Sequence, residues 1–71
     1  MNETDLLTKL GNRIKAIRKK KGMSQNELAL ECDFEKASMS RIEAGLANPT
    51  VRTLFKISRA LDVPMAELFK G

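Results

Sequence analysis

Residues 22–45 read GMSQNELALECDFEKASMSRIEAG, and two short helices with a tight turn between them are legible in that string. Ser24-Gln25-Asn26-Glu27 is a capping box: the Ser24 hydroxyl accepts from the Glu27 amide, and the Glu27 carboxylate reaches back. Met23, before the cap, and Leu28, at the fourth helical position, fall where a hydrophobic staple belongs. A helix over about 25–32 follows, with Leu28, Ala29 and Cys32 turned inward. Met39 and Ile42, three apart, mark the inner face of a second helix over about 36–44, stopped by Gly45. Two helices joined by so short a connection make a helix-turn-helix when they cross steeply, which requires a small residue at the contact. Ala29 supplies it, and Phe34 is placed to fill the space under the turn. A plain helical hairpin is the competing reading of this spacing.

Outward from this unit the helical period continues. Leu7, Leu10, Ile14 and Ile17 define one face of a helix over about 6–20, ended at Gly22. Lys19, Lys20 and Lys21 occupy its last turn, where the helix dipole favours cations. Downstream, Asn48-Pro49-Thr50 is a turn followed by an N-cap. Leu54, Ile57 and Leu61 form the stripe of a helix over about 51–61. Pro64 suits the first turn of a fifth helix, about 64–70. No run alternates as a strand would. The expected fold is five short helices in one all-α domain covering residues 1–71.

Composition narrows the function. Seventy-one residues allow one small domain, and 13 basic against 9 acidic side chains give a net charge of +4. Cys32 is alone, so no intrachain disulfide can form, which fits a reducing compartment such as the cytoplasm. Without histidine, a Gly-rich phosphate loop or a GxSxG elbow, the chain lacks the usual equipment of an enzyme, a metal site or a cofactor site. No apolar run exceeds three residues, which excludes a transmembrane helix or secretory signal. Absence of Tyr and Trp argues against a single-strand stacking platform. Lys9, Arg13, Lys15, Arg18, Lys19, Lys20 and Lys21 crowd one segment with no acid among them. Such a run attracts polyanions through counterion release, but alone it does not separate DNA, RNA, an anionic membrane and a merely solvated helix face.

The stretch 22–29, then Met39 to Gly45, then Asn48-Pro49-Thr50, closely resembles the phage-repressor-like (Xre-type) helix-turn-helix family. Leu54, Ile57, Ala60-Leu61, Val63 and Leu68-Phe69 extend the resemblance over roughly residues 10–69. It implies a compact, five-helix, lambda-repressor-like domain that binds double-stranded DNA, usually as a homodimer on a palindromic operator. Such proteins are bacterial or phage-encoded, cytoplasmic, nucleoid-associated transcription regulators, needing no cofactor, membrane or small-molecule ligand. They include restriction–modification controllers, phage and plasmid repressors, and antitoxins. An antitoxin-type protein-interaction module that also binds its own operator is the alternative function, and a nonspecific nucleoid or RNA binder a third.

The resemblance also assigns residues. Ser24 and Gln25 open the helix that anchors the DNA backbone, and the Gln25 amide can buttress a base-reading side chain. Helix three matches the recognition helix, with Lys36, Ala37, Ser40 and Arg41 towards base edges and Ser38 nearer the phosphates. Arg41 can fork onto a guanine O6/N7 pair; Lys36 reaches the same acceptors as a point charge; Ala37 offers only a methyl contact. Asn48 matches the phosphate-gripping loop, and Arg18 and Glu43 match positions that pair helices one and three. Val51, Phe55, Met65 and Phe69 are left over once the core stripe is filled and are the candidate dimer surface. Two positions depart from the family pattern. Asp33 stands where glycine is usual, and Glu35 where Ser or Thr would cap better. Operator preference therefore cannot be borrowed from relatives.

Overall fold

Every α-helix of the computed structural model, which describes residues 1–70, ends on the same local device. Gly22, Asp33, Gly45 and Asp62 adopt left-handed backbone, with φ of 75°, 59°, 76° and 57°. In each case the next residue's amide bonds back across the last turn: Met23 to Arg18, Phe34 to Ala29, Leu46 to Arg41 and Val63 to Ser58, at 2.8–3.1 Å. This is the Schellman closure, which satisfies carbonyls the helix leaves unpaired and turns an apolar residue back onto it. Glycine adopts that backbone without penalty. Aspartate tolerates it through its short polar side chain, so the substitution at Asp33 leaves the turn intact.

The helix starts are as local. α1 spans Glu3–Lys20 and begins earlier than the apolar period suggests, because the Asn2 side chain accepts from the Asp5 amide at 2.9 Å. α2, Gln25–Glu31, opens on the full capping box, with both reciprocal bonds at 2.8–3.0 Å. The bond from the Ser24 amide holds the Glu27 carboxyl below the usual carboxylate range. α3, Lys36–Glu43, follows Glu35, whose side chain caps nothing. α4, Val51–Leu61, starts at Thr50, whose hydroxyl accepts from the Thr53 amide.

The expected fifth α-helix is instead a 3-10 helix, Met65–Phe69, giving four α-helices and one 3-10 helix among the described residues. Pro64 stands before it in extended backbone rather than within its first turn. Glu67 closes a tighter i to i+3 bond onto the Pro64 carbonyl, while the Glu67 carbonyl is taken by Arg13 Nε at 2.8 Å. Five residues recover little of the cost of helix nucleation. Their geometry is set by placing Leu68 in the core. Ile14, Leu28, Met39, Ile57, Leu61 and Leu68 are fully enclosed, so each helix contributes at least one.

α1 crosses the end of α3 at contact distance. A Cβ on Gly11 would lie 2.5 Å from the carbonyl oxygens of both Ile42 and Glu43, so only glycine lets the two backbones meet. Gly11→Ala is accordingly expected to lose roughly 1–3 kcal/mol through forced separation, although alanine is the better helix former by about 1 kcal/mol. Thermal melts will read this. By the same measurement Asp33→Gly and Asp62→Gly are expected to be neutral to stabilising by up to about 1 kcal/mol, since relief of left-handed strain is partly offset by unfolded-state entropy.

Candidate nucleic-acid interface

Three helices are tied at one carboxylate. Glu43, at the end of α3, is 5% exposed, and Arg18 on α1 is 7% exposed. Arg18 Nε donates to Glu43 Oε2 at 2.7 Å and Nη2 to Oε1 at 3.0 Å, a two-pronged pair. Arg18 Nη1 donates to the Met23 carbonyl at 2.8 Å, just before the α2 cap. Gln25 Nε2, at the first position of α2, donates to Glu43 Oε1 at 3.1 Å. The Arg18–Glu43 pair therefore also carries the start of α2. The two contacts to Met23 and Gln25 left no mark in the sequence, because one acceptor is a backbone carbonyl and the other pairing joins residues on different helices.

This clamp fixes the orientation of α3. Met39, Ile42 and Glu43 face inward. At about 100° per residue, Ala37, Ser40 and Arg41 share a stripe turned away from the core, with Lys36 at its edge beside Glu43, and all four are exposed. Ser38 lies beside that stripe and is exposed too. Ser24 is exposed and Gln25 half-buried at the start of α2; Asn48 is exposed in the loop that follows α3. Arg41 Nη2 donates to the Leu46 carbonyl in the same loop at 3.1 Å, so the arginine and the loop are in contact. Phe34 packs against the core from under the turn, with Lys56 Nζ 5.7 Å from its ring centroid.

The basic run divides. Arg18 is buried in the clamp, and Arg13 binds the Glu67 carbonyl and carboxylate. Bonds from Lys70, then from Arg13, hold the Glu67 carboxyl below its ordinary range. Lys9, Lys15, Lys19, Lys20 and Lys21 remain exposed. The four leftover apolar residues also divide. Val51 and Phe55 stand one turn apart on α4 and are exposed, whereas Met65 is half-buried against the core. Phe69 is exposed beside a hollow formed with Met1, Leu6 and Leu68. Cys32 is enclosed, and burial pushes its thiol up to about 11. Among the described residues no group of acids and cysteine could hold a metal ion.

A helix-turn-helix family model (HTH_3) matches residues 14–68. Over 61 residues the chain is 44% identical to the HTH-type transcriptional regulator SlrR of Bacillus subtilis, covering 84% of this chain and 40% of that one. It is 36% identical over 66 residues to the control protein C.MunI of a Mycoplasma species, covering 92% of this chain and 89% of that one. Its fold superposes on the restriction-modification controller protein C.AhdI from Aeromonas hydrophila with a TM-score of 0.87, at 33% identity, covering 89% of this chain and 96% of the other.

Removing one partner of the clamp strands a buried charge. Glu43→Leu and Arg18→Met are each expected to lose about 3–5 kcal/mol, while the double substitution recovers much of that loss. A double-mutant cycle by denaturant unfolding measures the coupling. The Cys32 thiol stays protonated, and maleimide labelling at pH 8 should be far slower in the folded chain than in urea. Its folded pKa lies above the unfolded 9.0, so this group's stabilisation is complete below pH 9 and fades as pH rises through 11.

Proposed function

The chain belongs to the Xre-type helix-turn-helix family of DNA-binding transcription regulators, and from that footing we propose how it meets its operator. α3 lies in the major groove with Lys36, Ala37, Ser40 and Arg41 towards base edges. The observation that carries this reading is the exposed stripe of α3, held in one orientation by the buried Arg18–Glu43 pair. Arg41 is the principal base reader, because its fork matches guanine O6 and N7; Lys36 serves a base or a neighbouring phosphate. Ser24, Gln25, Ser38 and Asn48 contact the sugar–phosphate backbone and set the register.

One recognition helix reads only a few base pairs. We therefore infer a homodimer on a palindromic site, with half-sites about 34 Å apart along the duplex. Val51 and Phe55 on α4, with Phe69, are the surface for that pairing, and Met65 adds its outer edge. The similarity to C.MunI and C.AhdI supports a role as a controller of restriction–modification genes. Among the described residues, no helix is long and apolar enough to cross a membrane.

Selection of duplexes from random DNA defines the operator and tests the whole reading. On the selected site Arg41→Ala is expected to lose roughly 1–3 kcal/mol and to relax preference at one position per half-site. A uniform loss over all sequences would make Arg41 a phosphate contact. If about six phosphates are neutralised per dimer, log affinity should fall with log salt at a slope near −5. Saturation at one chain per site in analytical ultracentrifugation would contradict the dimer.

A further inference from the structure

Arg41 and Leu46 are joined twice. The Leu46 amide donates to the Arg41 carbonyl at 2.9 Å, closing the α3 cap, and Arg41 Nη2 donates to the Leu46 carbonyl at 3.1 Å. Both bonds depend on Gly45, whose left-handed backbone carries Leu46 back over the last turn of α3. Gly45 is itself seated on α1: a Cβ there would lie 2.9 Å from the Thr8 Cα. The acceptor that meets Arg41 is thus a backbone group held by the cap and by packing against α1.

A guanidinium is planar, and Nη2 carries two hydrogens, one on each of its neighbouring edges. A fixed acceptor on one of them sets the plane and leaves the other two-donor edge open. Bidentate reading of guanine needs that edge in the plane of the base, and an arginine already held there loses less freedom on binding.

We propose that the Leu46 carbonyl is a positioning group for base reading: the cap that ends α3 also cradles the Arg41 guanidinium and sets the edge it presents to the groove. The inference rests on α3 being the recognition helix. It makes Gly45 and Leu46 determinants of sequence preference although neither reads a base through its side chain.

The carbonyl can be weakened by itself. Replacing Ala47 with its α-hydroxy acid in a chemically synthesised chain turns the Leu46–Ala47 amide into an ester, a poorer acceptor, and alters no side chain. Among the described residues the Ala47 amide makes no hydrogen bond, so its removal disturbs little. The probes are duplexes selected from random DNA by the unmodified chain, each compared with single base-pair variants. Discrimination at one base pair per half-site should fall about fivefold or more, the lower bound for a bidentate contact. Affinity for random-sequence duplex should stay as it was.

Unchanged discrimination, or an equal loss on every duplex, would overturn the proposal. Gly45→Asn, which tolerates the left-handed turn but is displaced by Thr8, carries the same test in an expressed protein and should show the same selective loss. Arg41→Ala separates the two levels of the inference. If it abolishes that discrimination while the ester and Gly45→Asn chains retain it, the cradle alone fails. If it leaves every preference intact, Arg41 is not the base reader and the cradle fails with that assignment, whatever the other residues of α3 read.

Discussion

A carboxylate taken out of water must find its donors inside the fold, and Glu43 finds three: two from Arg18 and one from Gln25. Desolvating an ion costs several kcal/mol, and the pair recovers it only where the geometry is good and the remaining lone pairs are met. Among the described residues no buried side-chain polar atom lacks a partner. α1, the start of α2 and the end of α3 are therefore compatible with few relative placements. Leucines in the same positions could hold the helices together, but they would tolerate sliding that the two-pronged pair does not. Gly11 removes what freedom is left, because the α1 backbone rests against the last carbonyls of α3.

How far a sequence reveals its structure depends on how local each cause is. The capping box at Ser24 and the Thr50 cap each depend on a few consecutive residues, so α2 and α4 are legible in the string, whereas the left-handed turn at Asp33 follows only from the resemblance, as the place where glycine is usual. Asn2 is as local, yet it precedes a polar first turn, and an apolar stripe beginning at Leu7 does not reach back to it. The 3-10 helix is hidden because what fixes it lies elsewhere: Leu68 is seated in a core built by the other helices, and Arg13, on the first helix, takes the Glu67 carbonyl. Gly11 reads as an ordinary interior glycine until α3 is laid across it. At the interface, the exposed stripe of α3 follows from Met39 and Ile42. The pairing of Arg18 with Glu43 was available only through resemblance, and the Leu46 carbonyl has no side-chain signature.

Exposed charge on this molecule is uneven without being segregated, since Lys56 and Arg59 line the same hollow as Glu31 and Asp33. α1 retains exposed lysines after Arg13 and Arg18 are engaged internally, while Glu27, Glu31, Asp33 and Glu35 lie exposed along α2 and the turn. In the proposed docking, acids set against the phosphates cost more than their absence would, so Asp33 and Glu35 would restrict how α3 can be laid in the groove. Glu35 caps nothing at the start of α3, so its carboxylate adds no hydrogen bond to the helix.

The short C-terminal 3-10 helix has a consequence for how the molecule breathes. It encloses one side chain, Leu68, and a principal tie is to Arg13, 54 residues away and part-exposed. Segments with little buried surface and distant partners are the first to detach in native-state fluctuations, at a free energy well below that of global unfolding. Phe69 rides on this segment, so any assembly that covers Phe69 also suppresses its detachment. If the proposed dimer covers Phe69, its strength and the amide-exchange protection of the C-terminal segment are two readings of a single equilibrium.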